Sequence, residues 1–335
     1  MHINKDTLDD LLREVLERIL NEEQSLQASR GNFKELFGCC LHLTNPRARL
    51  SRSEGKGKIF SALGEFFWYL SGDTKLDFID YYIPRRFQEE SCDQIRVRSG
   101  YGERLSSFRG MNQIANIINL LQKRPTSRRA VIQLFDATDL EKEYKSIPCT
   151  CTIQVLARDG NLHMFVSMRS NDAYIGLPHD VFAFTMLQEI IARSTGLEIG
   201  EYKHFIGSLH LYENNFDSAK KYLDEGFQST IAMPSMPDGD PWDSIRKLQK
   251  VEEVFRSGKE TDRQQMNLEE LYIEKYWKDL ARLLIAFRAS KEKNTTVLAS
   301  LMNEMDSDVY KMFIQARIDN LNLMDEREKS AGNPR

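Results

Sequence analysis

The sequence has no apolar run approaching the roughly 20 residues that a membrane-spanning helix needs, so no such helix is predicted. Its first 23 residues are amphipathic and acid-rich, whereas a signal peptide has a basic start followed by an apolar core. We therefore expect a cytoplasmic protein that makes no contact with a membrane.

The sequence also lacks regularly spaced cysteines and a surplus of positive charge. Its five cysteines are an odd number without a Cys-x-x-Cys pair, which argues against a disulfide framework and against a zinc site. The formal net charge of −4 provides no overall positive field that would recruit nucleic acid. Any phosphate group must therefore be bound locally, by particular arginines.

What the sequence does contain is the patterning of a globular protein of mixed α+β class. The 335 residues, 41% of them hydrophobic, can bury a substantial core. Asp159-Gly160 is a strong hairpin signal between two alternating segments. The strands do not alternate regularly with helices, which favours a mixed sheet packed with helices. Helices are predicted from residue 8 onward and over residues 58–70, 112–123 and 178–193, and strands over residues 33–43, 128–135, 149–157, 161–168 and 202–212.

The C-terminal third is predicted to be helical. Residues 228–242 are rich in Pro, Ser, Gly and Asp and indicate a boundary. Beyond it, Asn267-Leu268-Glu269-Glu270 predicts a capped helix start, and the apolar pattern is repeated over residues 296–323, as in a helical hairpin packed on the body of the protein. We therefore predict three parts, which are an N-terminal helix over residues 1–27, a catalytic domain over residues 28–227 and an added helical region over residues 243–328.

Cys149 is the candidate nucleophile. A cysteine attacks an electron-poor carbon only as its thiolate, so it needs positive charge or a base nearby. Arg128 and Arg129 open the strand that precedes Cys149, and Arg169 ends the hairpin that begins with it. Three guanidinium groups could bind a phosphate and favour a thiolate. Taken alone, however, Arg128-Arg129 is more typical of a solvated strand edge.

Four further polar residues have both an ordinary and a functional interpretation. Asp180 stands at a predicted helix start, where the helix dipole alone favours an acidic side chain. His210 and Tyr212 share a strand face and could be a core pair with satisfied hydrogen bonds. Glu65 lies within an apolar helix, where a carboxylate is costly unless it is paired or functional.

These residues fall into motifs whose order is specific. Between about residues 30 and 222 the chain resembles the thymidylate synthase family. The resemblance implies the fold of that family, a homodimer formed through the sheet, and 5,10-methylenetetrahydrofolate as the cofactor. It rests on Ser127-Arg128-Arg129, Pro148-Cys149, Arg169-Ser170-x-Asp172, Gly176-Leu177-Pro178, Gly207-x-x-His210-x-Tyr212-x-x-Asn215, and Glu65 in Gly-Glu-Phe-Phe-Trp-Tyr-Leu-Ser-Gly-Asp.

The resemblance also implies a reaction. Cys149 would add to C6 of a pyrimidine nucleoside monophosphate, so that C5 becomes a carbon nucleophile that takes up the methylene of methylenetetrahydrofolate. Ser170 would help to fix the phosphate or the base. The residues that would hold the 5′-phosphate are Arg30, Arg169 and, from the partner subunit, Arg128 and Arg129.

Other roles follow from the same resemblance. His210 and Tyr212 would bind the sugar 3′-hydroxyl. Asp172 would contact the folate pterin. Glu65 and Tyr101 would organise the waters that move protons at the base and the cofactor. No metal is needed for this chemistry.

Asp180 departs from the methylating members of the family, which carry Asn at this position. An amide offers a donor and an acceptor, which match the N3–H and O4 of uracil, whereas an ionised carboxylate offers acceptors only and suits the N4 amine of cytosine. The loss of one buried hydrogen bond, together with repulsion between uracil O4 and the carboxylate, would weaken the binding of uracil by at least about 1–3 kcal/mol. Cytosine N3 is an acceptor too, so either it or Asp180 is expected to gain a proton. The hydroxymethylase branch of the family, which acts on dCMP or CMP, shows this substitution.

Two further departures favour the addition of water over the transfer of hydride. No tryptophan lies between residues 71 and 100, where methylating members place one beside the cofactor, and their short C-terminal tail is not recognisable. We therefore predict a cytidylate 5-hydroxymethylase that acts on CMP or dCMP. The alternatives are a thymidylate synthase that methylates dUMP and a non-catalytic nucleotide-binding regulator, which would have no need of Cys149.

Overall fold

The computed structural model describes residues 1–28, 31–53, 58–91 and 93–331, with side chains up to residue 327. The chain divides into two compact units. The first comprises Met1–Gly57 and Ser61–Pro241, and the second comprises Lys58–Phe60 and Trp242–Arg335. The first 27 residues thus belong to the same unit as the candidate catalytic residues.

The first unit is built on a mixed sheet. Its strands are β1 (His2–Lys5), β2 (Leu26–Ala28), β3 (Gly31–Leu43), β4 (Val131–Gln133), β5 (Thr150–Arg158), β6 (Asn161–Asp172) and β7 (Glu198–Tyr212). They lie in the order β1-β3-β7-β6-β5-β4, and β2 pairs with β3. β6 runs parallel to β7 and antiparallel to β5. The C-terminal ends of β6 and β7 therefore meet at the N-terminal end of β5.

Seven helices precede Pro241 in the described ranges. They are α1 (Leu8–Leu20), α2 (Ile59–Leu70), α3 (Leu76–Tyr82), α4 (Tyr101–Ser106), α5 (Gln113–Lys123), α6 (Gly176–Ser194) and α7 (Phe216–Asp224). Of these, α1, α5 and α6 pack against strands of the sheet. Thr7 caps α1 as predicted, because its hydroxyl accepts the Asp10 N–H at 3.1 Å. Almost every residue of α6 is buried, and this helix packs against β6 and β7. The mixed α+β fold predicted from the sequence is confirmed.

The second unit is helical. Its elements are α8 (Trp242–Ser257), α9 (Glu260–Gln265), α10 (Lys275–Lys291), α11 (Thr295–Glu304) and α12 (Lys311–Ala331). α10 is the central element, and it packs against α8, α11 and α12. Its buried face includes Trp277, Leu280, Leu284 and Phe287. The predicted helical nature of the C-terminal third is confirmed.

Some predicted boundaries are wrong. The capping pattern at residues 267–270 leads only to the short 3-10 turn Glu269–Leu271, and α10 begins at Lys275. The Asn267 side chain accepts the Glu269 N–H at 3.0 Å and so closes a tight turn, after which Tyr272 adopts a left-handed φ of 49°. Similarly, the strand predicted over residues 128–135 is reduced to β4.

The helix predicted over residues 296–323 is interrupted by a buried charge cluster. Asp279 of α10 accepts the backbone N–H groups of Asp306 at 3.0 Å and Ser307 at 2.9 Å. Arg282 donates to Asp279 and Asp306, at 2.9 Å in each case. Because these bonds satisfy backbone donors outside a helix, the chain ends α11 and begins α12 several residues later.

The hairpin between β5 and β6 matches its sequence signal. Asp159 and Gly160 have φ values of 50° and 76°, the two positive values that a tight two-residue hairpin turn requires. Across the described ranges, no helix is both long and apolar enough to traverse a bilayer.

Candidate active site

A cavity of about 390 Å³ opens beside the ends of β5, β6 and β7. This volume lies in the range of small-molecule sites. Most of the site residues predicted from the sequence line it, although they are scattered over six segments of the chain. These residues are Glu65, Tyr101, Cys149, Arg169, Ser170, Asp172, Asp180, His210 and Tyr212.

The register of the sheet explains why these residues meet. Asp172 at the end of β6 pairs with His210 near the end of β7. The Arg169 N–H donates to the Cys149 carbonyl at 2.9 Å, which fixes the residue before β5 against β6. Gly207 of β7 allows the close approach, because a Cβ at this position would lie 2.7 Å from the Arg169 carbonyl oxygen.

Cys149 is held next to a guanidinium group. Arg169 donates to the carbonyl oxygens of Pro148 at 3.0 Å and Ile147 at 3.1 Å, and its Nη2 lies 3.6 Å from the Cys149 Sγ. The guanidinium thus both fixes the turn that carries the cysteine and places a positive charge at the sulfur. That charge favours the nucleophilic thiolate.

Glu65 and Asp180 are two buried carboxyl groups on the cavity wall. Glu65 is 8% exposed and accepts a hydrogen bond from the Tyr69 hydroxyl at 2.7 Å. Burial raises the pKa of Glu65 to about 7, although the Tyr69 hydrogen bond and the Arg86 charge oppose that rise. The pKa of Asp180 is raised well above its ordinary value, first by burial and then by the charge of Glu65.

The raised pKa of Asp180 changes its hydrogen-bonding capacity. From the sequence, an ionised Asp180 is expected to offer acceptors only, with either Asp180 or cytosine N3 gaining a proton. Burial instead favours the protonated carboxyl, which presents one O–H donor and one carbonyl acceptor side by side. This site can therefore supply a proton to a bound heterocycle as well as accept a hydrogen bond from it.

Tyr101 connects this region to the nucleophile. Its hydroxyl oxygen accepts hydrogen bonds from the Thr150 N–H at 3.2 Å and from the Thr150 hydroxyl at 2.9 Å. Burial raises the pKa of Tyr101, and the charges of Asp180 and Cys149 raise it further. Tyr101 is thus a neutral hydroxyl beside the residue that follows Cys149.

The polar residues at the end of β7 form a separate group. His210 Nδ1 lies 3.4 Å from the Ser170 hydroxyl, and its ring packs edge-to-face on Tyr212 with centroids 5.0 Å apart. Phe33 of β3 packs against both rings. Nearby, Asp172 accepts the N–H groups of Tyr174 and Ile175, at 2.9 and 2.8 Å, so its carboxylate is oriented by the turn into α6.

The sequence was compared with models of known protein families. The family model for thymidylate synthase matches residues 10–250, which is more than half of the chain. The chain belongs to the thymidylate synthase family. Members are folate-dependent one-carbon transferases that modify C5 of a pyrimidine nucleotide, and they use 5,10-methylenetetrahydrofolate. They are typically dimers.

The cavity of this thymidylate synthase family member has a wall that fits a folate. Trp68 and Phe87 line it with their ring centroids 5.5 Å apart, which offers an apolar surface to a flat ring system. The buried Nε1–H of Trp68 has no hydrogen-bond partner within the described part of the chain, so a bound group with an acceptor would satisfy it. Asp172 supplies a fixed carboxylate on the same cavity.

Two of the predicted phosphate ligands, Arg128 and Arg129, are not among the described residues that line the cavity. Arg128 and Arg129 are exposed on the segment that leads into β4. Their assignment to the partner subunit's phosphate site stays a prediction. Arg30 lies outside the described residues. In the described ranges, no cluster of His, Cys, Asp and Glu side chains could hold a metal ion.

Part of the cavity wall is formed by residues that the sequence does not single out. Arg86, Glu90 and Ser99 line it from the segment between α3 and α4, and Ser146 lines it from the turn before Cys149. No periodicity marks them, because most of them lie on irregular segments. Tyr69, by contrast, could have been found, since it follows Glu65 by four residues on a predicted helix and shares its face.

Proposed function

We propose that this enzyme hydroxymethylates C5 of a cytidine monophosphate, either CMP or dCMP. The observation that carries the proposal is the buried Asp180 carboxyl on the cavity wall, whose environment favours its protonated form. A protonated carboxyl can donate its O–H to cytosine N3 and accept from the N4 amine with its carbonyl oxygen. This pairing uses both the donor and the acceptor of the buried carboxyl, to which Asn171 gives a further hydrogen bond.

The Asp180 carboxyl distinguishes cytosine from uracil because the base atoms to which it would donate, cytosine N3 and uracil O4, differ in basicity. A neutral carboxyl can also pair with uracil, by donating to O4 and accepting from N3–H. However, cytosine N3 is a ring nitrogen that can take up the proton, whereas the O4 of uracil is a weakly basic carbonyl oxygen. Transfer of the proton to N3 withdraws electrons from the ring and makes C6 more electrophilic. Asp180 would therefore act as a general acid only towards cytosine.

The other residues fit the remaining requirements. Cys149, with Arg169 beside its sulfur, would form the bond to C6. Glu65, with a pKa of about 7, can both give and take a proton near neutral pH. Trp68, Phe87 and Asp172 would hold the folate, which supplies the one-carbon unit. His210 and Tyr212 would bind the sugar at the end of the cavity closer to Ser170.

The segment between α3 and α4 forms part of the cavity wall, and its composition favours the addition of water. This wall presents Arg86 and Glu90 to the cavity alongside Phe87. A polar wall admits water to the bound one-carbon unit, whereas an apolar wall would exclude it. This composition supports a hydroxymethyl product. The pairing of a neutral Asp180 with uracil keeps the methylation of dUMP as the second candidate.

The decisive experiment incubates the protein and methylenetetrahydrofolate with CMP, dCMP, UMP and dUMP in separate reactions. We expect a hydroxymethyl product, identified by its mass, from one or both cytidylates. Release of tritium from C5 of the labelled nucleotide should be abolished in Cys149→Ala and retained in the matched control Cys151→Ala. A dominant methylated uridylate would refute the cytidylate assignment. Nucleotide binding without tritium release would instead support a regulator.

The phosphate site has its own test, because Arg128 and Arg129 would act across a dimer. A Cys149→Ala protein and an Arg128→Ala/Arg129→Ala protein should each be nearly inactive. Mixed dimers would unite an intact Cys149 with the partner's intact arginines at one of their two sites. Activity should therefore return when the two proteins are unfolded and refolded together. Absence of recovery would show that these arginines act within their own subunit or not at all.

A further inference from the structure

Asn171 is a buried residue of the cavity wall to which no role has been assigned above. It is 3% exposed, lines the cavity and lies on β6 directly before Asp172. Its amide group donates a hydrogen bond to the Asp180 carboxyl. A buried amide that bonds to the acidic group which would read the base can influence how that group pairs.

Asn171 and Asp180 belong to different elements that meet at the start of α6. A Cβ at Gly176, the first residue of α6, would lie 2.8 Å from the Asn171 Oδ1 and 3.6 Å from the Asp180 Oδ2. The two polar side chains therefore converge on the same point. The Asn171 Nδ2 also contacts the Met168 Sδ at 3.4 Å, but a thioether sulfur is a weak acceptor, so Asp180 is the stronger partner.

A hydrogen bond from an amide gives the two oxygens of a neutral carboxyl different roles. Such a carboxyl has one carbonyl oxygen and one hydroxyl oxygen, and its proton can reside on either atom. The carbonyl oxygen is the better acceptor, so the oxygen that accepts from Asn171 stays a carbonyl and the proton stays on the other oxygen. Burial and then the charge of Glu65 raise the pKa of Asp180 despite the opposing effect of this bond. Asp180 therefore keeps its proton, and the bond decides which oxygen carries it.

The position of the proton matters because the two pyrimidines need opposite arrangements. Cytosine presents an acceptor at N3 and a donor at N4, whereas uracil presents a donor at N3 and an acceptor at O4. A carboxyl whose proton can move between its oxygens pairs with either base. A carboxyl with a fixed proton pairs with one base and opposes the other, with donor against donor and acceptor against acceptor.

We propose that Asn171 is a positioning residue that makes Asp180 selective for cytosine. Its N–H keeps the oxygen that faces the N4 amine as an acceptor, so that the Asp180 proton points to cytosine N3. This inference rests on the proposed function and deepens it, because the choice of base then depends on both residues. Uracil would have to reverse the carboxyl and weaken its bond from Asn171, which lowers the affinity for uracil by roughly tenfold.

Nucleotide affinities test the proposal without turnover. Isothermal titration calorimetry in the absence of folate measures the Kd of each uridylate and of the cytidylate with the same sugar, and the ratio of the two is the base preference. Asn171→Leu nearly keeps the shape of asparagine but removes the donor, so the Asp180 proton can occupy either oxygen. We expect the affinity for uridylate to rise by roughly tenfold, while the affinity for cytidylate changes by less than about threefold.

Asn161→Leu is the matched control. It makes the same change at the first residue of β6, which is not among the described residues that line the cavity, and it should leave the base preference unchanged. In an Asp180→Ala background, Asn171→Leu should have no further effect on the preference, because the carboxyl through which it acts is absent. If Asn171→Leu does not fold, Asn171→Ala removes the same donor without apolar bulk and has the same expected result.

Two results would overturn the proposal. If the affinity of Asn171→Leu for uridylate does not rise, Asn171 has a merely structural role, since a structural defect weakens binding and does not strengthen it. If Asn171→Leu changes the preference in the Asp180→Ala background, Asn171 reads the base directly. Failure of the proposed function looks different, since the wild type itself would then bind cytidylate no more tightly than uridylate.

Discussion

Replacement of Glu65 by glutamine should make the folded protein more stable at neutral pH than the wild type. Burial raises the pKa of Glu65 from 4.5 to about 7 in the folded state, whereas the unfolded chain exposes this carboxyl to water. At pH values between 4.5 and about 7, the folded state therefore holds up to one proton more than the unfolded state. The free energy of unfolding therefore decreases as the pH rises from about 4.5, and this loss is complete above about pH 7.

The size of the effect follows from the same two values. At 1.36 kcal/mol per pH unit, a rise of the pKa from 4.5 to about 7 corresponds to a loss of about 3 kcal/mol. Glutamine has nearly the same shape, can accept the hydrogen bond from Tyr69, and does not ionise. The variant should thus lack this loss, and its advantage over the wild type should grow from near zero at pH 4.5 to about 3 kcal/mol at pH 8.

Urea unfolding of both proteins at a series of pH values between 4.5 and 8 measures this difference. Glu141→Gln, which alters an exposed glutamate, serves as the control. A Glu65→Gln advantage that stays constant over the whole range would refute the reasoning, because it would mean that Glu65 titrates alike in both states. In parallel, a limb near pH 7 in the wild-type kcat/KM profile should disappear in the variant.

Three other changes give distinct outcomes. Arg169→Lys cannot reproduce the donors to the two carbonyls and the sulfur, so alkylation of Cys149 by iodoacetamide at neutral pH should slow by roughly tenfold; an unchanged rate would contradict the role of the guanidinium. Asp180→Asn cannot protonate cytosine N3, so steady-state kinetics should show a kcat for cytidylate reduced by roughly 10²-fold or more with a smaller change in KM; a higher KM with an unchanged kcat would instead assign Asp180 to binding alone. Arg282→Met leaves buried Asp279 without its cation and should lower the free energy of unfolding, measured in urea, by about 3–5 kcal/mol; a change below about 1 kcal/mol would show that the pair is dispensable.

The parts of the fold that the sequence predicts well are those in which local chemistry and tertiary structure agree. Asp159 and Gly160 suit a tight turn wherever they occur, and the alternating segments on either side form β5 and β6. Thr7 caps α1 through a bond within its own turn. Such features depend on neighbours a few residues away, so a pattern in the sequence is sufficient to find them.

The parts that the sequence does not predict depend on distant partners. The break between α11 and α12 arises because Asp279, about 27 residues earlier, captures the backbone N–H of Asp306. Glu90 likewise enters the cavity through hydrogen bonds to serines 9 and 56 residues away. No helical or strand periodicity marks such contacts, since they link segments that meet only after the sheet has formed.

Burial also influences which groups in the cavity carry a proton, and the proposed reaction depends on that distribution. Reaction at C5 needs a negative sulfur at C6 and a positive or protonated ring, two requirements that oppose each other in a single environment. The cavity separates them in space. Arg169 places a positive charge beside the Cys149 sulfur, whereas the burial of Asp180 and the nearby charge of Glu65 favour a proton on the Asp180 carboxyl. A charged nucleophile and an acid can thus coexist at the same pH, because each has its own local field rather than the average field of a chain with net charge −4.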